Sequence, residues 1–385
     1  MIYHLLYALR DSVTHRLGFY AYQDVLFRSV MAALTSLGLS LLLGPRIIRW
    51  LMRMKIGDRP EFHHAALNDL MRERANTPTM GGILMLLAIG GATALWANMT
   101  NPFIQKAFFV LVWFGWVGGW DDWLKLTAKT RQRSRDGLKA WEKLVWQLGG
   151  SVLVAYFLFS DFRNIEDAVR LWLPFYKYGI PLAWWVFIII AILYMSATSN
   201  AVNLTDGMDG LASGCVGIVS FVLIILCYVA SERMSFSQSS TNPTGVTWAS
   251  YLLLPHVPKT GELCIFYAAI VGAMLGFLWF NCHPAQVFMG DIGSLPLGAA
   301  MGYGAIATRH EILLLLIGGV FVMELVSVVM QVGYFKYTGG KRIFRCAPIH
   351  HHFHLAGWSE PQVVVRFWLL EMAFATLALA TLKLR

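Results

Sequence analysis

Long apolar stretches separated by short polar segments recur along the whole chain. They lie at residues 25–44, 80–97, 104–120, 141–159, 180–197, 211–230, 263–281, 295–308, 312–335 and 364–383. Several approach the roughly 20 residues that an α-helix needs to cross a bilayer. The eighth is short and glycine-rich, which favours burial within a bundle, and the ninth is long enough to tilt or protrude. The pattern predicts an all-α, polytopic membrane protein with about ten transmembrane helices in a single domain, residues 1–385.

Composition supports this prediction. Of the 385 residues, 57% are hydrophobic and 14% are charged, whereas roughly a quarter of the residues of a soluble domain are charged. The five cysteines show no CxxC spacing, so we expect buried thiols rather than a disulfide framework or a zinc site. The amphipathic N-terminal stretch has no short apolar core before a small-residue cleavage site, so no cleavable signal peptide is expected.

Lysine and arginine are concentrated in the loops that follow odd-numbered stretches, at residues 46–74, 125–139 and 336–345. Basic residues mark the cytoplasmic side of a membrane protein. We therefore expect these loops to be cytoplasmic and both termini to be periplasmic, and the net charge of +9 fits that bias.

The polar clusters of the chain follow the same odd-numbered stretches. They lie at residues 72–82, 121–143, 200–209, 281–294 and 348–354. All five are thus predicted to meet at the cytoplasmic face, which is where we expect the active-site cleft.

Two of these clusters carry the carboxylates best suited to a metal or a phosphate site. Asp291 follows Gly290 in a tight loop, and Mg²⁺ typically takes one or two carboxylates together with phosphate oxygens. Asp121 and Asp122 are adjacent at a membrane edge, with Lys125 four residues further on to offset their repulsion. The alternatives are a solvated turn at Asp291 and a solvated charged face at the pair.

Two other clusters suggest recognition of polar groups. Asn200, Asn203, Asp206 and Asp209 step by three, so on a helix they share one drifting polar face that suits a polar ring or a sugar. Thr77 is expected to cap the helix of the second stretch, whose N–H groups would attract an anion. A plain polar helix end and a plain N-cap are the alternatives.

Three adjacent histidines, His350, His351 and His352, lack the ligand spacing of a zinc site. We expect phosphate or carboxylate recognition, or proton transfer, in a loop fixed by Pro348. In the ninth stretch Glu324 is either functional or structurally paired, because an ionisable residue in a membrane is functional by default. Gln331, nearer the cytoplasmic end, is the better site candidate.

Together these motifs resemble the polyprenyl-phosphate N-acetylhexosamine-1-phosphate transferases. The resemblance covers nearly the whole chain. It rests on TPTMGG at 77–82, the Asp121-Asp122 pair, NAVNLTDGMDGL at 200–211, FNCHPAQVFMGDIGS at 280–294 and APIHHHF at 347–353. The family implies that a polyprenyl phosphate attacks the β-phosphate of a UDP-linked sugar, that UMP leaves, and that Mg²⁺ is required.

The resemblance also implies roles for matching residues. Asp291 is the expected metal ligand. The expected catalytic residues are Asp121, Asp122, Asp291 and His351. The expected substrate-binding residues are Thr77, Lys125, Lys129, Lys143, Asn200, Asn203, Asp206, Asp209, Asn281, Gln331, His350 and His352. Two features depart from the family: His354 replaces a usual acidic residue, and Arg72 and Arg74 stand where lysine is common.

Because a phosphate monoester is mostly dianionic at neutral pH, we expect Asp121 or Asp122 to position metal or lipid rather than to abstract a proton. An aspartyl-phosphate intermediate is the competing mechanism.

The triple histidine and GWSEPQVVVRFW at 357–368 resemble the family branch that joins UDP-MurNAc-pentapeptide to undecaprenyl phosphate in peptidoglycan synthesis. The expected location is the bacterial inner membrane, with both substrates and membrane lipid as partners and no nucleic acid, and the family suggests a homodimer. One alternative is a sister enzyme that uses UDP-GlcNAc. The other is a transporter with deep acidic residues, which the clustering of polar residues at one face disfavours.

Overall fold

The structure, a computed structural model, describes residues 1–9, 20–54, 77–128, 137–176, 178–232 and 247–383. The α-helices of these ranges are α1 (Ile2–Ala8), α2 (Val25–Arg53), α3 (Gly82–Trp96), α4 (Pro102–Ala128), α5 (Ala140–Phe162), α6 (Trp184–Thr205), α7 (Leu211–Ser231), α8 (Trp248–Leu252), α9 (Leu263–Asn281), α10 (Asp291–Ala307), α11 (Glu311–Ile317), α12 (Gly319–Tyr337), α13 (Ile349–Leu355) and α14 (Glu360–Ala380). Strands β1 (Arg170–Leu171) and β2 (Ile180–Pro181) pair antiparallel, with Arg170 opposite Pro181.

The prediction of an all-α, polytopic membrane protein is confirmed. Within the described ranges, eight helices are long and apolar enough to cross a bilayer, namely α2, α4, α5, α6, α7, α9, α12 and α14. Helix α3, with 15 residues, is shorter. Helix α10 corresponds to the glycine-rich eighth stretch, and every residue in it except Ile292 is buried, as that composition predicted.

Two of the predicted stretches were wrong in detail. The ninth is divided at Gly318 into α11 and α12, since two consecutive glycines are poor helix formers. The side chain of Glu371 accepts a hydrogen bond from the Val320 N–H at 2.9 Å, which satisfies a donor at the start of α12. The fifth stretch begins as a helix only at Trp184, because Ile180–Pro181 is the second strand of the hairpin.

Helices α9 and α10 form the centre of the bundle. Helix α9 packs mainly against α2 and α7, and α10 lies between α4 and α6. Small residues along α10, including Gly298 and Gly302, lie directly against the backbone of α6. The first residue of α10, Asp291, is thereby placed where α4 and α6 end.

Buried ion pairs connect neighbouring segments at the end of the bundle opposite Asp291. Arg28 donates to both oxygens of Glu262, at 3.0 and 2.6 Å. Arg309 Nη1 lies 2.5 Å from Glu311 Oε1, and both side chains are fully buried. Glu324 is the deep acidic residue that the sequence pattern indicated, but Glu311 and Glu371 are equally buried.

Candidate active site

Four helix ends meet at one end of the bundle. The C-terminal parts of α4 and α6 supply Asp121, Lys125 and Asn203, and the first turns of α5 and α10 supply Lys143 and Asp291. Residues far apart in sequence are thus within hydrogen-bonding distance because their helices end at the same level. Asp121, Asp122, Lys125, Lys143 and Asp291 are called the carboxylate–lysine cluster below.

Within this cluster, two carboxylates share two ammonium groups. Lys125 Nζ lies 3.0 Å from Asp121 Oδ2 and 3.1 Å from Asp291 Oδ2. Lys143 Nζ lies 2.7 Å from Asp291 Oδ2 and 3.8 Å from Asp121 Oδ2. The spacing-based pairing of Asp121 with Lys125 is therefore confirmed, and both lysines also reach Asp291.

Asp122 has a different environment from its neighbour. Its two carboxylate oxygens accept hydrogen bonds from the backbone N–H groups of Asp291 at 3.2 Å and Ile292 at 3.0 Å. It therefore caps α10 from another helix. Gly118, one turn earlier on α4, lies so close to the Asp291 carbonyl that a Cβ there would overlap it, which lets Asp122 reach the helix end.

The four polar residues that step by three from Asn200 do not form one face. Helix α6 ends at Thr205, so Asp206 and Asp209 lie in the turn beyond it. Asn203 donates to Asp291 Oδ1 at 2.6 Å, inside the cluster. Asn200 instead exchanges amide hydrogen bonds with Gln147, 2.8 Å from its Nδ2 to Gln147 Oε1.

Asp209 belongs to a second polar group with His283 and Glu360, three residues whose ligand atoms all lie within 4.8 Å of one another. Asp209 Oδ2 is 3.1 Å from His283 Nδ1 and accepts the Ala285 N–H at 3.1 Å. Glu360 Oε1 accepts the Asp209 N–H at 2.8 Å. These bonds join the turn after α6, the α9–α10 loop and the start of α14.

Asn281 is buried and holds that loop in place. Its Oδ1 accepts from the Gly210 N–H at 3.1 Å and from Ser213 Oγ at 3.0 Å, and its Nδ2 donates to the Val287 carbonyl at 2.9 Å. The side-chain hydrogen bonds of Asn281 therefore shape the α9–α10 loop on which Asp291 depends.

The TPTMGG segment is not the helix cap predicted from sequence. Helix α3 begins at Gly82, and Thr77 instead donates to the Ala285 carbonyl at 3.4 Å. The N–H groups of Gly81 and Gly82 donate to the carbonyls of Phe288 and Met289, at 2.8 and 2.9 Å. Both N–H groups are bonded within the protein and are therefore not directed at an anion.

The three histidines have three different environments. His350 is fully buried, with Nδ1 3.1 Å from Glu324 Oε2. The ring of His351 lies 4.1 Å from that of His350, centroid to centroid. His352 accepts the Arg345 N–H on Nδ1 at 3.1 Å. The carboxylate of Glu324 therefore distinguishes His350 from His352, which contacts a main-chain donor instead.

Gln331 holds the segment before α13. Its Oε1 accepts from the N–H groups of Ile343 and Phe344, at 3.0 and 2.9 Å, and its Nε2 donates to the Phe344 carbonyl at 3.1 Å. Lys129, with Arg72 and Arg74, lies outside the described residues. His354, the departure from the family pattern, is 3.0 Å from the Trp358 carbonyl through Nδ1.

The cluster has the donor atoms for a hard cation. Asp121 and Asp291 already direct one oxygen each at a single ammonium, that of Lys125. Carboxylate oxygens that converge on one cation are the ligands that Mg²⁺ takes in proteins. The residues present therefore fit Mg²⁺, which Asp121 and Asp291 would hold, whereas both oxygens of Asp122 are engaged by α10.

Several site residues were missed from sequence. His283 and Glu360 lie inside motifs that had been recognised, FNCHPAQVFMGDIGS and GWSEPQVVVRFW, but no spacing rule joins them. Gln147 lies in an apolar stretch of α5 and had no signal beyond being polar there. Such partners become visible only when the helices are packed.

These features define a helical membrane protein whose polar site, rich in carboxylate and lysine, suits phosphate chemistry at one end of its bundle. The chain belongs to Glycosyl transferase family 4, whose model matches residues 104–309.

Curated relatives match the chain over its full length. Phospho-N-acetylmuramoyl-pentapeptide-transferase of Desulfotalea psychrophila is 44% identical, over 100% of both chains. The proteins of that name from Nitratidesulfovibrio vulgaris and Thermodesulfovibrio yellowstonii are 43% and 41% identical, again over 100% of both chains.

Proposed function

We propose that the protein transfers phospho-N-acetylmuramoyl-pentapeptide from its UDP-linked form to undecaprenyl phosphate in the bacterial inner membrane, with release of UMP. The observation that carries this proposal is the convergence of Asp121, Asp291, Lys125 and Lys143 at one end of a membrane bundle. The names of full-length relatives support the choice of donor.

In this proposal the two lysines bind the pyrophosphate of the donor. Two anionic phosphates must approach each other, and their repulsion has to be offset before they react. The ammonium groups of Lys125 and Lys143 both contact Asp291 Oδ2, at 3.1 and 2.7 Å, so a phosphate bound beside Asp291 would be near both of them.

Asp121 and Asp291 would hold Mg²⁺. When bound, the ion supplies charge neutralisation at the reacting phosphates. Asn203 donates to Asp291 Oδ1 and to Ser294 Oγ, at 2.6 and 2.9 Å, and so fixes the orientation of that carboxylate. This orientation leaves Oδ2 directed toward the lysines.

The chemical step needs no protein base. An oxygen of the dianionic lipid phosphate forms a bond to the β-phosphorus of the donor, and the bond from that phosphorus to the oxygen of UMP breaks. Asp122 has both oxygens bonded to the N–H groups at the start of α10, which argues for a positioning role.

An apolar cavity between membrane helices supports a lipid acceptor. It has a volume of about 180 Å³ and is lined mainly by apolar residues of α6, α11 and α12, among them Leu193, Leu314 and Phe321. Ala201, near the C-terminal end of α6, is also in its lining.

The test is UMP release by the purified protein in detergent with Mg²⁺ and undecaprenyl phosphate. UDP-MurNAc-pentapeptide and UDP-GlcNAc are offered in parallel, with Asp291→Asn as the inactive variant. Glu166→Gln, which alters an exposed carboxylate at the opposite end of the bundle, is the matched control.

We expect release from the first donor only, lost in Asp291→Asn and kept in Glu166→Gln. Release from UDP-GlcNAc alone would move the protein to the sister branch of the family. No release from either donor would refute the enzymatic proposal.

A further inference from the structure

Gln147 has a buried amide side chain that the transfer reaction as proposed does not use. It lies on α5, four residues after Lys143, so the two side chains share one face of the helix. Gln147 is 0% exposed, and Asn200 Nδ2 on α6 donates to its Oε1 at 2.8 Å. Its Nε2 donates in turn to Ser199 Oγ at 3.3 Å. Because a buried amide without partners is costly, these contacts hold α5 against α6.

Three side-chain contacts, about one at each helical turn, join the antiparallel helices α5 and α6. They are Lys143 with Asn203, Gln147 with Asn200, and Ser151 with Ser196. The first and the third are long, at 3.4 and 3.5 Å, whereas the second is a 2.8 Å hydrogen bond of ordinary length. The contact of Gln147 with Asn200 is therefore the one that most restricts sliding of the two helices in this row.

The register matters because Asp291 is contacted from both helices. Lys143 Nζ, from α5, lies 2.7 Å from Asp291 Oδ2, and Asn203 Nδ2, from α6, lies 2.6 Å from Asp291 Oδ1. Gln147 lies about one turn from Lys143, and Asn200 lies about one turn from Asn203. A slide of α5 by one residue would shift Lys143 by about 1.5 Å along the helix axis, far more than the range over which hydrogen-bond lengths vary.

We propose that Gln147 is a positioning residue for the transferase: its contact with Asn200 sets the register of α5 on α6 and thereby holds the Lys143 ammonium beside Asp291. This inference rests on the proposed function, in which that ammonium binds the pyrophosphate of the UDP-linked donor. Gln147 is enclosed between the two helices, so it acts only through Lys143.

A double-mutant cycle in donor binding tests the role. Binding of UDP-MurNAc-pentapeptide is measured by isothermal titration calorimetry in detergent without the acceptor lipid, so that it needs no turnover. Gln147→Met keeps the length of the side chain and removes the amide. We expect it to raise Kd about five- to tenfold in the wild-type background, but less than about twofold in the Lys143→Met background. Losses that multiply in the double variant would overturn the proposal, because Gln147 would then act without Lys143.

The contact itself is tested by thermal unfolding of the same protein in detergent. We expect Gln147→Met to lower Tm more in the wild-type background than in Asn200→Leu, because only the former still has the contact to lose. Equal shifts in both backgrounds would overturn the pairing. If Gln147→Met does not fold, Gln147→Asn, which shortens the side chain by one methylene group, replaces it in both cycles.

Tyr303→Phe is the matched control, since Tyr303 is also fully buried and joins two helices that supply the site. Its hydroxyl, on α10, donates to the Phe103 carbonyl of α4 at 2.8 Å, at the ends of these helices that lie away from the site. The variant should lower Tm without changing Kd of the donor. A similar rise of Kd in this control would mean that instability explains the Gln147 result, and would overturn the proposal.

The outcomes distinguish this inference from the proposed function. A wild-type protein that does not bind the donor would refute the proposed function, and with it the role, while the Tm cycle would still report the contact. An unchanged Kd in Lys143→Met would refute the pyrophosphate contact of that lysine. Wild-type binding with losses that multiply would overturn only the role of Gln147.

Discussion

Asp122 and Asp291 are joined through the backbone: the carboxylate of Asp122 accepts the N–H groups of Asp291 and Ile292 at 3.2 and 3.0 Å. Asp121, the next residue along the chain, instead shares the ammonium of Lys125 with the Asp291 side chain. Two adjacent carboxylates thus have separate tasks. One holds the start of α10, and the other pairs with Lys125 through Oδ2 and accepts the Leu138 N–H on Oδ1 at 2.6 Å.

This division predicts different consequences for the two aspartates. We expect Asp122→Ala to lower the free energy of unfolding by about 1–3 kcal/mol, because buried N–H groups lose charged acceptors. Asp121→Ala should abolish turnover with a smaller fall in Tm, because its loss also relieves repulsion with Asp291. Thermal unfolding and UMP release of both variants check this, and a larger fall in Tm for Asp121→Ala would contradict it.

Lys125 occupies the point at which the Asp121 and Asp291 oxygens converge, and its side chain is 42% exposed. We therefore expect Lys125→Ala to lower the Mg²⁺ concentration needed for half-maximal activity, since each of the two carboxylate oxygens loses one of its two ammonium partners, while kcat falls. The measurement is a Mg²⁺ titration of UMP release. Lys106→Ala, whose partner Asp161 lies at the opposite end of the bundle, is the control. A higher Mg²⁺ requirement in Lys125→Ala would show that the lysine and the ion do not compete.

Gly118 sets the distance between α4 and α10. We expect Gly118→Ala to cost about 1–3 kcal/mol or more, because the added methyl group overlaps the backbone of Asp291 and Ile292. A methyl group added at Gly149 on α5 would meet no atom of the described residues within 4 Å, so Gly149→Ala should stabilise the protein by about 0.5–1 kcal/mol. Thermal unfolding of both variants compares the same substitution in crowded and open surroundings. Equal effects on Tm would rule out close packing as the cause.

Gln331 fixes the segment that His352 also contacts, through the N–H of Arg345. We expect Gln331→Leu to raise KM for the UDP-linked donor by about three- to tenfold with a smaller change in kcat, since the segment loses its anchor but the cluster is untouched. Gln331→Glu keeps the acceptor for Ile343 and Phe344 and should have a weaker effect. Steady-state kinetics decide the matter, and unchanged KM in both variants would exclude this role.

The architecture could be predicted from sequence because a long apolar stretch that crosses a membrane must fold as an α-helix or as part of a closed barrel. The stretch that became α10 shows this well: its glycines and alanines indicated burial before its neighbours were known. Two consecutive glycines mark the break at Gly318 locally, but the acceptor that satisfies the Val320 N–H, Glu371, lies on the last long helix. No local pattern reports such a distant acceptor.

The residues of the candidate site could be predicted from sequence, but the contacts between them could be predicted only in part. Lys125 was paired with Asp121 from helical spacing alone, and the contact is present at 3.0 Å. Asn200 and Asn203 looked equivalent on a helix, yet one turns to Gln147 and the other to Asp291. Helix packing decides which neighbouring helix each side chain of α6 contacts. Residues three positions apart lie on the same side of a helix, so periodicity cannot distinguish their partners.

The start of α3 has a consequence for how negative charge is held. A helix start carries partial positive charge from its macrodipole, but the N–H groups of Gly81 and Gly82 are covered by the carbonyls of Phe288 and Met289. The start of α10 is likewise covered by Asp122. Neither helix start therefore offers the main-chain N–H groups with which a P-loop binds phosphate. Recognition of phosphate then falls on side chains, whose charge and length can each be altered by a single substitution without refolding the backbone around them.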